Sequence, residues 1–123
     1  MTRWYWHQVG GLLIEEFTLV RSSATNAPRY LDGLIVLDEA TRISTTRTFD
    51  ITGRDVIAVQ TKARRLNMFV MGQCLFSRNL LMAMGPSKVR SIALCTQDDS
   101  VLRPLLESHE GCQVVIYQPS ESS

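Results

Sequence analysis

The second half of the chain alternates apolar, β-branched runs with helical patterns, and this alternation limits the fold more than any other feature. Residues 55–63 (DVIAVQTKA), 88–96 (KVRSIALCT) and 112–119 (CQVVIYQP) are typical of strands. Between them, residues 65–84 carry apolar side chains at helical spacing up to a Gly-Pro pair, and residues 98–111 predict a short helix. Strands that alternate with helices favour an α/β fold with a central mixed β-sheet flanked by helices.

The first half adds one helix and two strands to this pattern. Residues 4–14 have apolar side chains at helical spacing, and EFTLV (16–20) predicts a short strand. Residues 30–38 (YLDGLIVLD) are dense in branched apolar side chains, which is typical of a strand buried on both faces. The polar residues 39–53 predict a long connection. The predicted order is therefore α, β, β, β, α, β, α, β.

The size and charge of the chain limit its class. At 123 residues it fits one domain, which we assign to residues 1–119, with a disordered tail at 120–123. The net charge is +1, so binding to nucleic acid would require a local basic patch. No apolar run has the length of a membrane span, and the N-terminal residues do not resemble a signal peptide. We expect a cytoplasmic protein that does not enter the membrane.

The cysteine and histidine residues do not predict a metal or thiol site. Cys74, Cys95 and Cys112 are far apart in apolar surroundings, which predicts reduced, buried thiols. His7 and His109 are isolated, so no pair has zinc-ligand spacing and no cysteine has a local histidine to activate it.

Two polar residues on one strand suggest a chemical site. Gln60 and Lys62 are two apart, so their side chains share a face. Asp32 begins the preceding predicted strand and would lie beside Gln60 if the two strands pair as a hairpin. Glu15 or Glu16 could add a second carboxylate. Oxygen ligands next to a lysine suit phosphodiester hydrolysis assisted by Mg²⁺.

These residues together resemble the PD-(D/E)XK nuclease superfamily. The resemblance lies in Glu16, RYLDG (29–33), VQTKA (59–63) and a following long helix that carries Gln73. It implies a restriction-endonuclease-like αβββαβ core and a first-helix glutamate at Glu16, with Glu15 as second choice. It also implies an Mg²⁺- or Mn²⁺-dependent nuclease that acts on DNA.

The resemblance implies a role for each motif residue. Asp32 would be the acid of the second strand, and Gln60-Thr61-Lys62 would be the third-strand (D/E)-x-K motif. Asp32, Gln60 and the Thr61 carbonyl would hold the metal, Lys62 would position the attacking water, and Glu16 would act through a water. Most members of the superfamily have an acid where Gln60 stands, but active Q-x-K variants occur, including some transposase endonuclease subunits.

A local basic patch could bind the nucleic acid. Phosphate contacts supply much of the affinity for nucleic acid, although the same side chains could instead form a solvated, salt-bridged face. A chain of this size has no separate recognition domain, so cutting a duplex would require a homodimer or a partner subunit. The candidate nucleic-acid-binding residues are Arg29, Arg64, Arg65, Gln73 and Arg78.

Two alternatives remain open at this point. The chain could be a catalytically inactive nuclease fold that binds nucleic acid or a protein, and the amide of Gln60 favours that interpretation modestly. The pattern could also be coincidental in an ordinary α/β protein, with Asp32 as a turn residue and Lys62 as a solvated lysine. In that case Asp32 and Lys62 would lie far from each other.

Overall fold

The computed structural model describes residues 1–119, so the tail predicted at residues 120–123 lies outside the described residues. The helices are α1 (Thr2–Val9), α2 (Met68–Met82) and α3 (Leu102–Glu107). The strands are β1 (Leu12–Glu15), β2 (Thr18–Val20), β3 (Arg29–Tyr30), β4 (Gly33–Val36), β5 (Arg42–Ile43), β6 (Asp55–Arg65), β7 (Lys88–Gln97) and β8 (Cys112–Ile116).

One mixed sheet organises the chain. It has six strands in the order β5-β1-β4-β6-β7-β8, while β2 and β3 form a separate two-stranded ribbon. Strands β1, β4 and β6 are antiparallel neighbours, and β6, β7 and β8 are parallel neighbours. Parallel neighbours need a crossover connection, and α2 and α3 supply these crossovers. The predicted α/β fold with a central mixed sheet flanked by helices is therefore confirmed.

Helices cover both faces of this sheet. Tyr5 and Trp6 of α1 pack with Ile57 on one face. On the other face Leu81 of α2 packs with Ala58, and α3 joins α2 in a neighbouring cluster. Side chains alternate along a strand, so the even-numbered residues of β6 point toward α2 and the odd-numbered ones toward α1.

The helix predicted over residues 4–14 is wrong in its second part. Helix α1 ends at Val9, and Gly10 and Gly11 have φ angles of 73° and 84°, which favour glycine. Leu12–Glu15 then forms β1, whose first three residues are almost wholly buried. A short strand buried on both faces has no polar alternation, so its apolar run could not be distinguished from a helix.

Most other predicted elements are present with shifted ends. The strand predicted at residues 30–38 shortens to β4, and Tyr30 pairs with β2 instead. Helix α2 begins later than residue 65 because the side chain of Asn67 accepts a hydrogen bond from the Val70 N–H, at 3.0 Å. Helix α3 and strand β8 are also shorter than predicted.

The three cysteines are buried, reduced thiols, as the sequence predicts. Burial raises the pKa of Cys74 to about 12 and that of Cys95 to about 11. Protonated thiols are poor nucleophiles, so these residues belong to the core and not to a reactive site. None of the helices within residues 1–119 is long and apolar enough to cross a membrane.

Candidate active site

The two strands that carry the polar motif residues are neighbours in the sheet. Strands β4 and β6 are antiparallel with Gly33 opposite Val59. In an antiparallel pair, one step back along β4 corresponds to one step forward along β6, so Asp32 comes level with Gln60. The chain therefore brings Asp32 to the segment Gln60–Lys62, which we call the QTK segment.

Asp32 makes direct contact with this segment. One carboxylate oxygen of Asp32, Oδ2, accepts hydrogen bonds from the backbone N–H of Thr61 at 2.8 Å and from the Thr61 hydroxyl at 3.0 Å. The second oxygen, Oδ1, has no hydrogen-bond partner within residues 1–119. Because Asp32 is exposed, this oxygen can accept a ligand from solvent. Asp32 is thus bonded to Thr61, the residue between Gln60 and Lys62.

Gln60 is enclosed beneath helix α2. Its side chain is only 4% exposed, and its Nε2 donates a hydrogen bond to the Ser77 hydroxyl at 3.1 Å. This contact orients the amide, leaving Oε1 as the atom that can face a cation or a ligand. Sequence reasoning missed Ser77, although its place on the same helix stripe as Val70 and Leu81 marks it as a polar residue on a core face.

Lys62 lies where the buried part of β6 ends. Its side chain is half-buried, and residues 63–65 beyond it are exposed. The pairing of β6 with β7 becomes irregular between Lys62 and Arg65, so the sheet loosens at this point. Among residues 1–119 the Lys62 ammonium takes part in no ion pair. It lies on the same face as Gln60 and is available to an anion.

The two glutamates stand at the end of β1, not at the end of a helix as the sequence suggested. Glu15 forms an ion pair with Arg3 of α1 at 2.8 Å, and the hydrogen bond from Arg3 lowers the pKa of Glu15. Alternation along β1 directs Glu15 toward the α1 face, away from the face that Gln60 and Lys62 share.

Glu16 is the glutamate nearer to Asp32. Its backbone N–H donates to the Asp32 carbonyl at 3.3 Å, because the pairing of β1 with β4 continues one residue beyond Glu15. Its φ is 52°, so the chain turns sharply here. The carboxylate is 64% exposed and forms an ion pair with Arg47 at 2.8 Å. It would have to exchange Arg47 for water to act at the site.

Three oxygen donors of Asp32 and the QTK segment are of the kind that a hard divalent cation prefers. They are a carboxylate oxygen of Asp32, the amide oxygen of Gln60 and the backbone carbonyl of Thr61. Within residues 1–119 no three Asp, Glu, His or Cys side chains converge, so a protein-only cage is absent there. Mg²⁺ commonly binds through one or two carboxylates, several waters and the substrate phosphates, and this donor set fits that mode.

Four of the five predicted nucleic-acid-binding residues lie near this end of the sheet. Arg64 and Arg65 are exposed at the end of β6, although Arg65 also donates to the Asp98 carbonyl at 2.7 Å. Arg29 and Gln73 line the same cavity as Gln60. Arg78 lies elsewhere, because its guanidinium donates to the Val89 carbonyl at 3.4 Å and lines a separate cavity with Lys88 and Glu110.

The cavity that contains Gln60 is a feature that sequence reasoning missed. It has a volume of about 410 Å³ and lies between α2 and the β2–β3 ribbon. A usable signal was present in α2, where Phe69, Phe76 and Leu80 form a second apolar stripe beside the one that enters the core. The lining residues, which define what we call the α2 cavity, are Leu19, Arg29, Tyr30, Gln60, Met68, Phe69, Gly72, Gln73, Phe76, Ser77 and Leu80.

Comparisons of this chain with protein-family models, with curated proteins and with solved structures find no match. Its functional interpretation therefore depends on the geometry of its own residues. The central feature of that geometry is Asp32 bound through Thr61 to the QTK segment, whose first residue, Gln60, lines the α2 cavity.

Proposed function

We propose that this chain is a metal-dependent nuclease that hydrolyses phosphodiester bonds in DNA. The observation that carries the proposal is the pair of hydrogen bonds from Thr61 to the Asp32 carboxylate. These bonds hold the Asp32 carboxylate against Thr61, whose two chain neighbours are Gln60 and Lys62. A carboxylate, an amide and a lysine at one end of adjacent strands are the residue types that metal-assisted phosphodiester hydrolysis uses.

The order of the main elements also supports this proposal. Without the short strands β2, β3 and β5, the chain begins α1, β1, β4, β6, α2, β7, and α3 and β8 follow. This is the αβββαβ order implied by the resemblance to PD-(D/E)XK nucleases, with three antiparallel strands followed by a parallel one. The acid precedes the second of these strands, and the QTK segment lies on the third.

Each residue of the site has a role that follows from its chemistry. Asp32 supplies the negative charge for an Mg²⁺ or Mn²⁺ ion, and the Gln60 amide oxygen and the Thr61 carbonyl add neutral oxygen ligands. When bound, such an ion stabilises negative charge on the phosphate and makes a coordinated water more acidic. The Lys62 ammonium orients the attacking water or neutralises charge on the phosphate.

The surrounding charges suit a polyanionic substrate. Arg29, Arg64 and Arg65 are exposed near the site and can contact phosphates on either side of the cleaved bond. Glu16 can hold a second water once Arg47 turns toward the nucleic acid. Cutting both strands of a duplex would require two copies of the chain or a partner subunit, because each chain carries one such site.

Cleavage assays with two substitutions test the proposal. We expect Asp32→Asn and Lys62→Ala each to reduce Mg²⁺-dependent cleavage of single-stranded and duplex DNA by at least about 100-fold. Asn keeps the shape of Asp and can still accept from Thr61, so the fold should persist, as circular dichroism would verify. Lys88→Ala is a matched control, because Lys88 is an exposed lysine at the opposite end of β7. Undiminished cleavage by both variants would refute the assignment.

A catalytically inactive nuclease fold that binds nucleic acid or a protein partner is the second candidate. It is favoured by the ion pairs that occupy both Glu15 and Glu16, which leave Asp32 as the unpaired carboxylate at the site among the described residues. Calorimetric titration with Mn²⁺ separates the candidates. A nuclease should bind Mn²⁺ in a way that Asp32→Asn abolishes, whereas an inactive fold should show no binding that depends on Asp32.

A further inference from the structure

We propose that the α2 cavity is a subsite for one unpaired nucleobase of the substrate. This inference depends on the proposed nuclease function only for the identity of the polymer, because it concerns binding and not cleavage. The cavity adjoins the catalytic candidates directly, since Gln60 lines it and the next residue, Thr61, bonds to Asp32. Its volume of about 410 Å³ lies in the range of small-molecule sites.

Three aromatic rings at the cavity are exposed without a structural reason. Tyr30 is 52% exposed, Phe69 is 71% exposed and Phe76 is 63% exposed. In the part of the chain that the structure describes, the aromatic pairs involve other residues. Leaving such surface in water is unfavourable, and bases stack readily on aromatic side chains with little dependence on sequence.

Polar groups in the cavity match the other parts of a nucleotide. Gln73 is an exposed amide that lines the cavity, and it has no part in the metal site proposed above. Amides of this kind can pair with the donors and acceptors on a base edge. Arg29 is the charged residue among the described lining residues, and its guanidinium donates only to the neighbouring Pro28 carbonyl, at 3.3 Å. A cavity with a cation and no carboxylate suits a ligand that carries a phosphate.

Gly72 gives a second, independent indication. It lies within α2, where glycine is less favourable than alanine. Its φ does not require glycine, and a Cβ added there would meet no atom within 4 Å. Nothing in the packing of residues 1–119 thus explains this glycine. A flat ligand lying against the helix between Phe69 and Phe76 would use the space that the absent side chain leaves.

A base must leave a duplex stack to enter such a cavity, so the subsite favours single-stranded or locally unpaired substrate. We would measure anisotropy of a labelled single-stranded 12-mer in EDTA, which prevents metal-dependent cleavage. The comparison ligand is a 12-mer of abasic sites, which has the same phosphates without bases. We expect wild type to prefer the base-containing strand by about 10-fold or more.

Two substitutions make the test specific. Phe76→Ala should reduce this preference by about 10-fold, whereas Val101→Ala, at an apolar residue 73% exposed just before α3, should leave it unchanged. Gly72→Leu should also abolish the preference by filling the cavity. Gly72→Ala should weaken it while raising Tm by about 3–5 °C, so unfolding cannot explain the loss.

The outcomes separate this proposal from the nuclease assignment. Equal affinity for the two strands, or a preference that Phe76→Ala and Gly72→Leu leave unchanged, would overturn the base subsite even if the protein cleaves DNA. A Phe76-dependent preference in a protein that never cleaves DNA would support the subsite and overturn the nuclease. Sedimentation could instead reveal a dimer that Phe76→Ala dissociates, in a protein that binds both strands equally. That result would assign the cavity to a second copy of the chain and overturn the subsite.

Discussion

Gln60→Glu tests whether the site is built for a cation. The substitution puts a carboxylate where the native side chain is only 4% exposed and the next residue, Thr61, is bonded to Asp32. Burial and the neighbouring negative charge both raise the pKa of the introduced group. We therefore expect a variant whose stability depends on pH and on divalent cations.

The size of the effect follows from the burial. A rise of about 2 in that pKa costs about 2.7 kcal/mol of unfolding free energy at pH 8, where the unfolded chain ionises the group freely. The loss should nearly disappear near pH 4, where the group is mostly protonated in both states. The pKa of the introduced carboxyl group is higher in the folded state than in the unfolded state. The destabilisation therefore grows as the pH rises from the unfolded-state pKa toward the folded-state pKa. A divalent cation at about 100 times its Kd would restore about 2.7 kcal/mol.

Urea denaturation at pH 4 and pH 8, with and without Mg²⁺, measures these terms. Gln73→Glu is the matched control, because it makes the same change at an exposed position on α2 and should alter stability little. Adding Asp32→Asn to Gln60→Glu should reduce the stabilisation by Mg²⁺. If Gln60→Glu were as stable as wild type at pH 8 without metal, Gln60 would not be enclosed as described. If Mg²⁺ stabilised Gln60→Glu no more than the control, the site would not be a cation site.

Two further predictions concern the groups around the site. Ser77→Ala should lower the free energy of unfolding by about 1–3 kcal/mol, because it leaves the buried Nε2 of Gln60 without a hydrogen-bond partner. Urea denaturation measures this loss. The control Asn79→Ala, on the exposed side of α2, should change the free energy of unfolding little. Burial raises the pKa of the Cys74 thiol to about 12. This thiol should therefore resist Ellman's reagent at pH 8 in the folded protein and react once urea unfolds it. Fast reaction in the native state would contradict the described core.

The sequence predicts the second half of the fold better than the first half. The sequence predicts that Asp32 lies beside Gln60, because Asp32 directly precedes the apolar run of β4, the QTK segment follows the apolar run of β6, and side-chain alternation is local. Strand β1 escaped prediction because Leu12, Leu13 and Ile14 are all buried, and an apolar run without alternation does not distinguish strand from helix. As a result, Glu15 and Glu16 were assigned to the wrong kind of element.

The sequence by itself determined the α/β class, the strands and helices of the second half, the buried thiols and the shared face of Gln60 and Lys62. These properties follow from local periodicity and turn chemistry, which nearby residues set. Only the tertiary structure decided that Glu15 pairs with Arg3, that Arg78 lies apart from Arg29, and that the α2 cavity exists. Each of these depends on contacts between segments distant in the chain, whose approach is governed by the packing of the whole sheet and not by any local pattern.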